Sequence, residues 1–424
     1  MHKINLILFL LLISQFTIGQ TKVEFKEIRP PYKSISPIVK NLLSQKISPD
    51  EIWNRNNQTG LPIIEADTLC SDYVWLTFIY QNSTDNKEVT FEIFGIYSEY
   101  RFGDMKMHRL ENSDLYYRSY MIPNDLCFSY RFKIRDTITN NIFYDIDKFN
   151  KNLIPTGERK EFSYSVLDLR SDEPDWNTKI DSTITHQIDT VAFKSKMLDN
   201  ERNVFVYLPN DYSKNKRKGY PVIYLFDSFI YLNRVEVPNI LDNLISQGKI
   251  EPMVAVFVDN PTRTSRSTEL PLNSIFKEAI ITELIPLIKG KYNITTNPDK
   301  TIIGGISYGG LAAAYISFYH PDIFGKVLSQ SGGFWRDIEL TDNFGNEVRN
   351  DWLINQFGIE EHKPIKLYLD WGLQENMVLG ANRKFVKVLN KKGYEFKFIE
   401  YNGWHDWANS RKTFSEGLLF LLEN

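Results

Sequence analysis

The sequence predicts a two-part α/β protein: an antiparallel β-sandwich followed by a largely parallel sheet with helices on both faces. Two changes of pattern and the length carry this prediction. Residues 60–170 are dense in Tyr and Phe, and their period-two runs are bounded by turn residues. Beyond a polar, proline-containing stretch at 171–177, short and almost wholly apolar runs alternate with helical segments. The chain has 424 residues, more than one hydrophobic core usually serves.

At the N-terminus a short basic start, the apolar run from Ile4 to Ile13 and the small Gly19 describe a signal peptide over 1–20. The run is too short to span a bilayer, and no Cys follows it to carry a lipid, so no membrane anchor is expected after cleavage. The mature chain is expected to be periplasmic or secreted. Two cysteines, Cys70 and Cys127, permit a disulfide in that setting without requiring one. With 42% hydrophobic and 24% charged residues and a formal net charge of −3, the chain offers no electrostatic ground for nucleic acid as a partner.

The front domain is expected over 21–175, with strands YVWLTFIY (73–80), EVTFEIF (88–94), LYYRSYMI (115–122) and CFSYRFKI (127–134). Asn, Asp and Pro in the turns at 82–87 and 123–125 suit an immunoglobulin-like sandwich. The second domain, 176–424, has apolar runs at 203–209, 221–227, 253–260, 301–307, 326–331, 365–370 and 396–401, with helices such as 273–289 and 379–392 between them.

In this order the stretch GGISYGG (304–310) acquires a meaning. The strand TIIGGI runs into Ser307, and the alanine-rich LAAAYISFY (311–319) behind it reads as a helix. A serine on a sharp strand-to-helix turn is the nucleophile elbow of an α/β-hydrolase, and Gly305 and Gly309 are expected there because a side chain would strike the neighbouring backbone. Such a serine needs a base and an acid in the order Ser, acid, His. His405, just after the last strand in NGWHDW, is the base by position and elimination: His108 and His186 precede the elbow, His320 caps its helix and His362 lies in a charged loop. Glu375, in the loop beyond IKLYLD, is preferred as the acid, with Asp370 at the strand end as the alternative. The backbone N–H of Tyr308 and an N–H near Ser228 or Phe229 are the expected oxyanion donors. No sequence pattern calls for a metal or another cofactor.

These residues carry a family likeness. YPVIYLFD, ILDNLISQGKIEPMVAVFVDN, GGISYGGLAAAYISFYHPDIFGKVLSQSG and YNGWHDW resemble the enterochelin (enterobactin) esterase family, in the esterase D-like branch of the α/β-hydrolases. Trp53 with GLPIIE, YRF (130–132) and DIDKFN (145–150) extend the likeness to the front domain. It implies Ser307 as nucleophile, His405 as base and Glu375 as acid, acting on the ester bonds of a catecholate siderophore trilactone. Related enzymes with the same catalytic domain release ferulate or acetate from plant polysaccharide, so a polysaccharide-linked ester is the alternative substrate, and a non-catalytic binding protein on this fold is the alternative from another class. This chain departs from the family pattern at Asp227-Ser228, Gly403-Trp404 and Ser410-Arg411.

Loops at the carboxyl ends of parallel strands build the sites of open α/β sheets. Arg263 and Arg266, with Trp335 and Arg336, stand on such loops and suit an anionic, aromatic ligand. Glu269 is expected to hold one of the arginines, and Trp404 beside the base to line the acyl pocket.

Overall fold

The computed structural model describes residues 23–59, 62–67, 69–94, 102–154, 163–170, 185–337 and 351–423. The expected signal peptide and the stretch at 171–177 lie outside the described residues. Among those described, no helix is long and apolar enough to cross a membrane.

Among the described residues the front part holds ten strands: β1 (Tyr32–Lys33), β2 (Ile63–Ala66), β3 (Tyr73–Gln81), β4 (Lys87–Ile93), β5 (His108–Arg109), β6 (Leu115–Pro123), β7 (Cys127–Asp136), β8 (Ile142–Asp145), β9 (Leu153–Ile154) and β10 (Tyr164–Asp168). They form two antiparallel sheets, β1-β6-β3-β2 with β5 on β6, and β4-β7-β10-β9 with β8 on β7. Because side chains alternate across a strand, each sheet turns one apolar face inward. Leu76 and Phe78 of β3 meet Val89, Phe91, Phe128 and Tyr130 of the other sheet in one core. Phe78 stacks on Phe91 with centroids 4.5 Å apart. Burying a ring of this size stabilises by roughly 1.5–3 kcal/mol.

Among the described residues two helices, α1 (Pro37–Leu43) and α2 (Pro49–Thr59), lie between β1 and β2. The first starts where Ser36 Oγ accepts the Val39 N–H, with Pro37 as the first helical residue. Serine followed by proline is a start signal because the side chain replaces a missing acceptor and proline has no N–H to leave unsatisfied.

The second part is built on eight strands: β11 (Gln187–Ser195), β12 (Asn200–Leu208), β13 (Val222–Phe226), β14 (Val254–Val258), β15 (Thr301–Ile306), β16 (Lys326–Gln330), β17 (Lys366–Gly372) and β18 (Glu395–Tyr401). Their spatial order is β11-β12-β14-β13-β15-β16-β17-β18. Pairings from β14 to β18 are parallel, and those of β12 with β11 and β14 are antiparallel. β13, β14 and β15 are buried along their whole length, as strands covered on both faces must be. β11, at the sheet edge, alternates exposed and buried residues.

The helices here are α3 (Ser228–Asn233), α4 (Val237–Ser246), α5 (Arg263–Glu269), α6 (Ser274–Ala279), α7 (Ile285–Lys291), α8 (Tyr308–Tyr319), α9 (Trp352–Ile359), α10 (Asn376–Lys392) and α11 (Trp407–Leu422). The helix expected over 273–289 is divided by a π turn, Ile280–Leu284, just ahead of Pro286. Proline cannot donate to the preceding turn, and the wider turn absorbs the misfit. Parallel strands deliver the loops after β13, β14, β15, β16, β17 and β18 to one edge of the sheet. Cys70 and Cys127 are not joined in a disulfide, and Cys127 is buried.

Candidate active site

β15 ends at Ile306, and Ser307 takes φ 60°, ψ −118° before α8 begins at Tyr308. A non-glycine residue in such a conformation costs of order 1–3 kcal/mol and persists only when its neighbours impose it. Here the Ser307 N–H donates to the Gln330 carbonyl at 2.9 Å, and the Gly333 N–H donates to the Ser307 carbonyl at 2.9 Å. A Cβ on Gly305 would lie 2.4 Å from the Gly309 carbonyl carbon, so the elbow closes only around glycine. Gly309 differs from expectation: a Cβ there would meet the Asp227 carboxylate, at 3.2 Å, rather than backbone.

His405 Nδ1 lies 2.6 Å from Glu375 Oε2. An ionised carboxylate only accepts, so Nδ1 carries the hydrogen and Nε2 is left as the basic nitrogen. The other oxygen, Glu375 Oε1, accepts from the Gly372 N–H at 2.6 Å, Ser331 Oγ at 2.7 Å and Tyr401 OH at 3.2 Å. Ser331 and Tyr401 have no sequence signature as partners of an acid, since only the side-by-side strands β16, β17 and β18 bring them to it.

Asp370, the alternative acid, does not take this place. Its carboxyl is fully buried, with Gln330 and Thr413 as partners, and burial pushes it up to about 8. The strand register sets it opposite Gln330, whose Nε2 donates to Asp370 Oδ2 at 3.3 Å, and no hydrogen bond links it to His405. Asp406 also faces away from the imidazole. It caps α11 by accepting the Ala408 N–H at 2.7 Å, and its other oxygen goes to Ser129.

The oxyanion candidates begin two helices. Tyr308 is the first residue of α8; Ser228, buried, and Phe229, half exposed, open α3. Ser228 Oγ donates to Asp259 Oδ1 at 2.9 Å. Asp227, in the left-handed region at φ 63°, sets the direction of the α3 amides.

Three expectations for substrate binding are corrected. Arg266 is not turned to a ligand: its guanidinium forks onto Asp227 at 2.6 and 2.7 Å, and Asn260 donates to the same carboxylate at 2.7 Å. Glu269 holds neither Arg263 nor Arg266. It is buried against the fully enclosed side chain of Arg202, at 2.8 Å, because the helical turn of α5 points it back under β12. Trp404 lines no acyl pocket; it has no exposure and packs in the front core beside Phe102 and Phe128, with centroids 5.2 and 5.7 Å away. Arg263 is exposed at the start of α5. Trp335 and Arg336 are half-buried on the loop after β16, with the Trp335 ring 6.0 Å from that of Tyr308. His320 closes α8 as its C-cap, and His362 stacks on Tyr394 at 4.3 Å.

A chain of this geometry has relatives. The iron(III) enterobactin esterase of Escherichia coli K12 is 28% identical over 232 residues, which is 54% of this chain and 56% of the relative, so the matched stretch spans little more than half of that protein. The Dickeya dadantii iron(III) enterobactin esterase is 23% identical over 430 residues, covering 92% of this chain and 97% of the relative. In fold, the crystal structure of the Salmonella typhimurium ferric enterobactin esterase superposes with a TM-score of 0.73 at 21% identity, covering 88% of this chain and 98% of that one. The family model Esterase, described as "Putative esterase", matches residues 195–421, which take in Ser307, Glu375 and His405. On that match the chain belongs to the Esterase family.

Proposed function

We propose that this chain is an exported serine esterase that hydrolyses the ester bonds of a catecholate siderophore trilactone. One observation carries the chemistry: His405 meets Glu375 at 2.6 Å on the sheet edge where Ser307 follows β15. Ser307 Oγ attacks the ester carbonyl carbon while His405 Nε2 takes the hydroxyl proton, and Glu375 stabilises the imidazolium that results. Charge gathers on the carbonyl oxygen, where the Tyr308 N–H and an amide of Ser228 or Phe229 receive it. Collapse breaks the ester C–O bond, His405 returns its proton to the leaving alkoxide, and Ser307 keeps the acyl group. Water, deprotonated by the same imidazole, then releases the acid and restores the serine.

The choice of substrate rests on relatives named for iron(III) enterobactin, one of which aligns with 92% of the chain. Arg263 opens α5 after β14, Trp335 and Arg336 stand on the loop after β16, and cations with an indole suit an anionic catecholate. Export rests on the basic and apolar start of the chain. We place the signal peptide at 1–20, an immunoglobulin-like sandwich at 21–175 and the esterase domain at 176–424.

The test is hydrolysis of a ferric catecholate trilactone and of methyl ferulate, side by side. We expect kcat/KM to favour the trilactone by about 100-fold or more, since charged contacts discriminate strongly. The reverse preference would turn the reading toward a feruloyl or acetyl esterase of plant cell-wall polysaccharide.

A further inference from the structure

We infer that the front domain is a working part of the active site, with Asp125, Cys127 and Ser129 acting as positioning residues for the loop that carries His405. The inference rests on the esterase reading above. β18 is the edge strand of its sheet, so the base loop that follows has no neighbouring strand of that sheet on one side. β7 of the front domain fills the place. The Cys127 N–H donates to the Asn402 carbonyl at 3.0 Å, and Cys127 bridges Gly403 in parallel register. A Cβ on Gly403 would lie 2.5 Å from Asn409 Nδ2 and 2.7 Å from the Cys127 carbonyl oxygen, so any side chain there would lift the loop off β7.

Both sequence neighbours of His405 are anchored in the same way. Trp404 is enclosed in the front core, and Asp406, fully buried, accepts from the Ser129 N–H at 2.6 Å and Ser129 Oγ at 2.8 Å. The imidazole between them keeps partial exposure and reaches Glu375. The acid loop is tied to the same residues. Asp125 accepts from Asn402 Nδ2 at 3.0 Å and pairs with Arg29 at 2.8 Å. Gln374, directly before Glu375, donates to Asn402 Oδ1 at 2.9 Å and to the Arg29 carbonyl at 3.0 Å. Base and acid are therefore held by contacts that cross between the two parts of the chain, and groups that fix a catalytic side chain within a fraction of an ångström govern rate more than binding.

The experiment uses the full chain and a small neutral ester, p-nitrophenyl acetate. Ser129→Ala and Asp406→Asn are each expected to lower kcat about tenfold with KM changed less than about twofold, and the double variant to be no slower than Asp406→Asn alone, because both weaken the same Ser129–Asp406 pairing. Ser129→Thr, which keeps the hydroxyl, should restore the rate. The downfield proton resonance of His405 Nδ1–H should shift in Ser129→Ala and return in Ser129→Thr. Asp125→Asn, at a partly exposed site, provides a variant that folds if the buried ones do not, and should also lower kcat. A lowered Tm with unchanged kcat in these variants would overturn the inference and leave the contacts as simple packing. Failure of the esterase reading looks different: the wild-type chain would hydrolyse no ester, or Ser307→Ala would retain the activity.

Discussion

Glu375 accepts three hydrogen bonds on one carboxylate oxygen and His405 on the other, whereas Asp370, on the strand leading to the same loop, is sealed beside Gln330 and Thr413. The two carboxyls are thereby given different tasks. Ser307→Ala and His405→Ala should each lower kcat by on the order of 10⁴-fold, with a smaller loss in Glu375→Ala, since nucleophile and base act as one unit. Asp370→Asn should keep kcat within about twofold, because no hydrogen bond joins this carboxyl to the imidazole. Its signature lies in stability. Burial raises the Asp370 carboxyl from 3.8 to about 8, so the folded chain keeps a proton that the unfolded chain releases. The stability this proton contributes is complete below the unfolded value and is lost as the pH climbs through about 8. Asparagine does not titrate, so Tm of the variant minus Tm of the wild type should grow by a few degrees between pH 5 and pH 8. A constant difference in calorimetric scans at the two pH values would refute the assignment.

At the scale of elements, the loop after β13 and helix α5 form one device. Asp227 sits in a left-handed conformation, and Arg266 grips its carboxylate with two short hydrogen bonds while a third, at 3.5 Å, reaches the Ile306 carbonyl next to Ser307. The α3 amides offered as oxyanion donors start from this residue. Arg266→Gln should therefore slow kcat about tenfold on neutral and anionic esters alike, with little change in KM, as the loss of one well-aimed donor set would. A KM rise confined to the anionic substrate would instead return Arg266 to the ligand-binding role its position in the sequence suggested. Steady-state kinetics on the two substrate types separates these outcomes.

For the whole molecule, the contacts across the two parts amount to a shared core. Trp404 of the base loop is packed in the front core, Trp407 of α11 stacks on Phe94 at 3.7 Å, and Arg170 reaches Asn409 at 2.9 Å. Parts joined this way lose apolar burial on both sides when either opens. The protein should melt in a single calorimetric transition, and Trp404→Ala, which removes an enclosed indole, should cost about 3–5 kcal/mol and lower that one transition as a unit. Two well-separated transitions in the wild type would mean that the parts unfold independently.

The strand–turn–helix around Ser307, the placing of Ser307, Glu375 and His405 after β15, β17 and β18, and the apolar strands β13 to β17 were legible in the sequence, because local sterics and burial on both faces leave their mark on neighbouring residues. β11 was not, since an edge strand exposes every second residue and its polar alternation matches many loops. Helix α1 carries its start signal at Ser36-Pro37, and α2 carries one at Ser48-Pro49, where Ser48 and Glu51 exchange hydrogen bonds. Which of Glu375 and Asp370 meets His405, the pairing of Arg266 with Asp227 and of Glu269 with Arg202, and the burial of Trp404 were decided by tertiary structure alone. A sequence orders charged and aromatic residues by position along the chain, but which partner each one meets depends on strand register and on the packing of segments hundreds of residues apart, as where Ser129 meets Asp406.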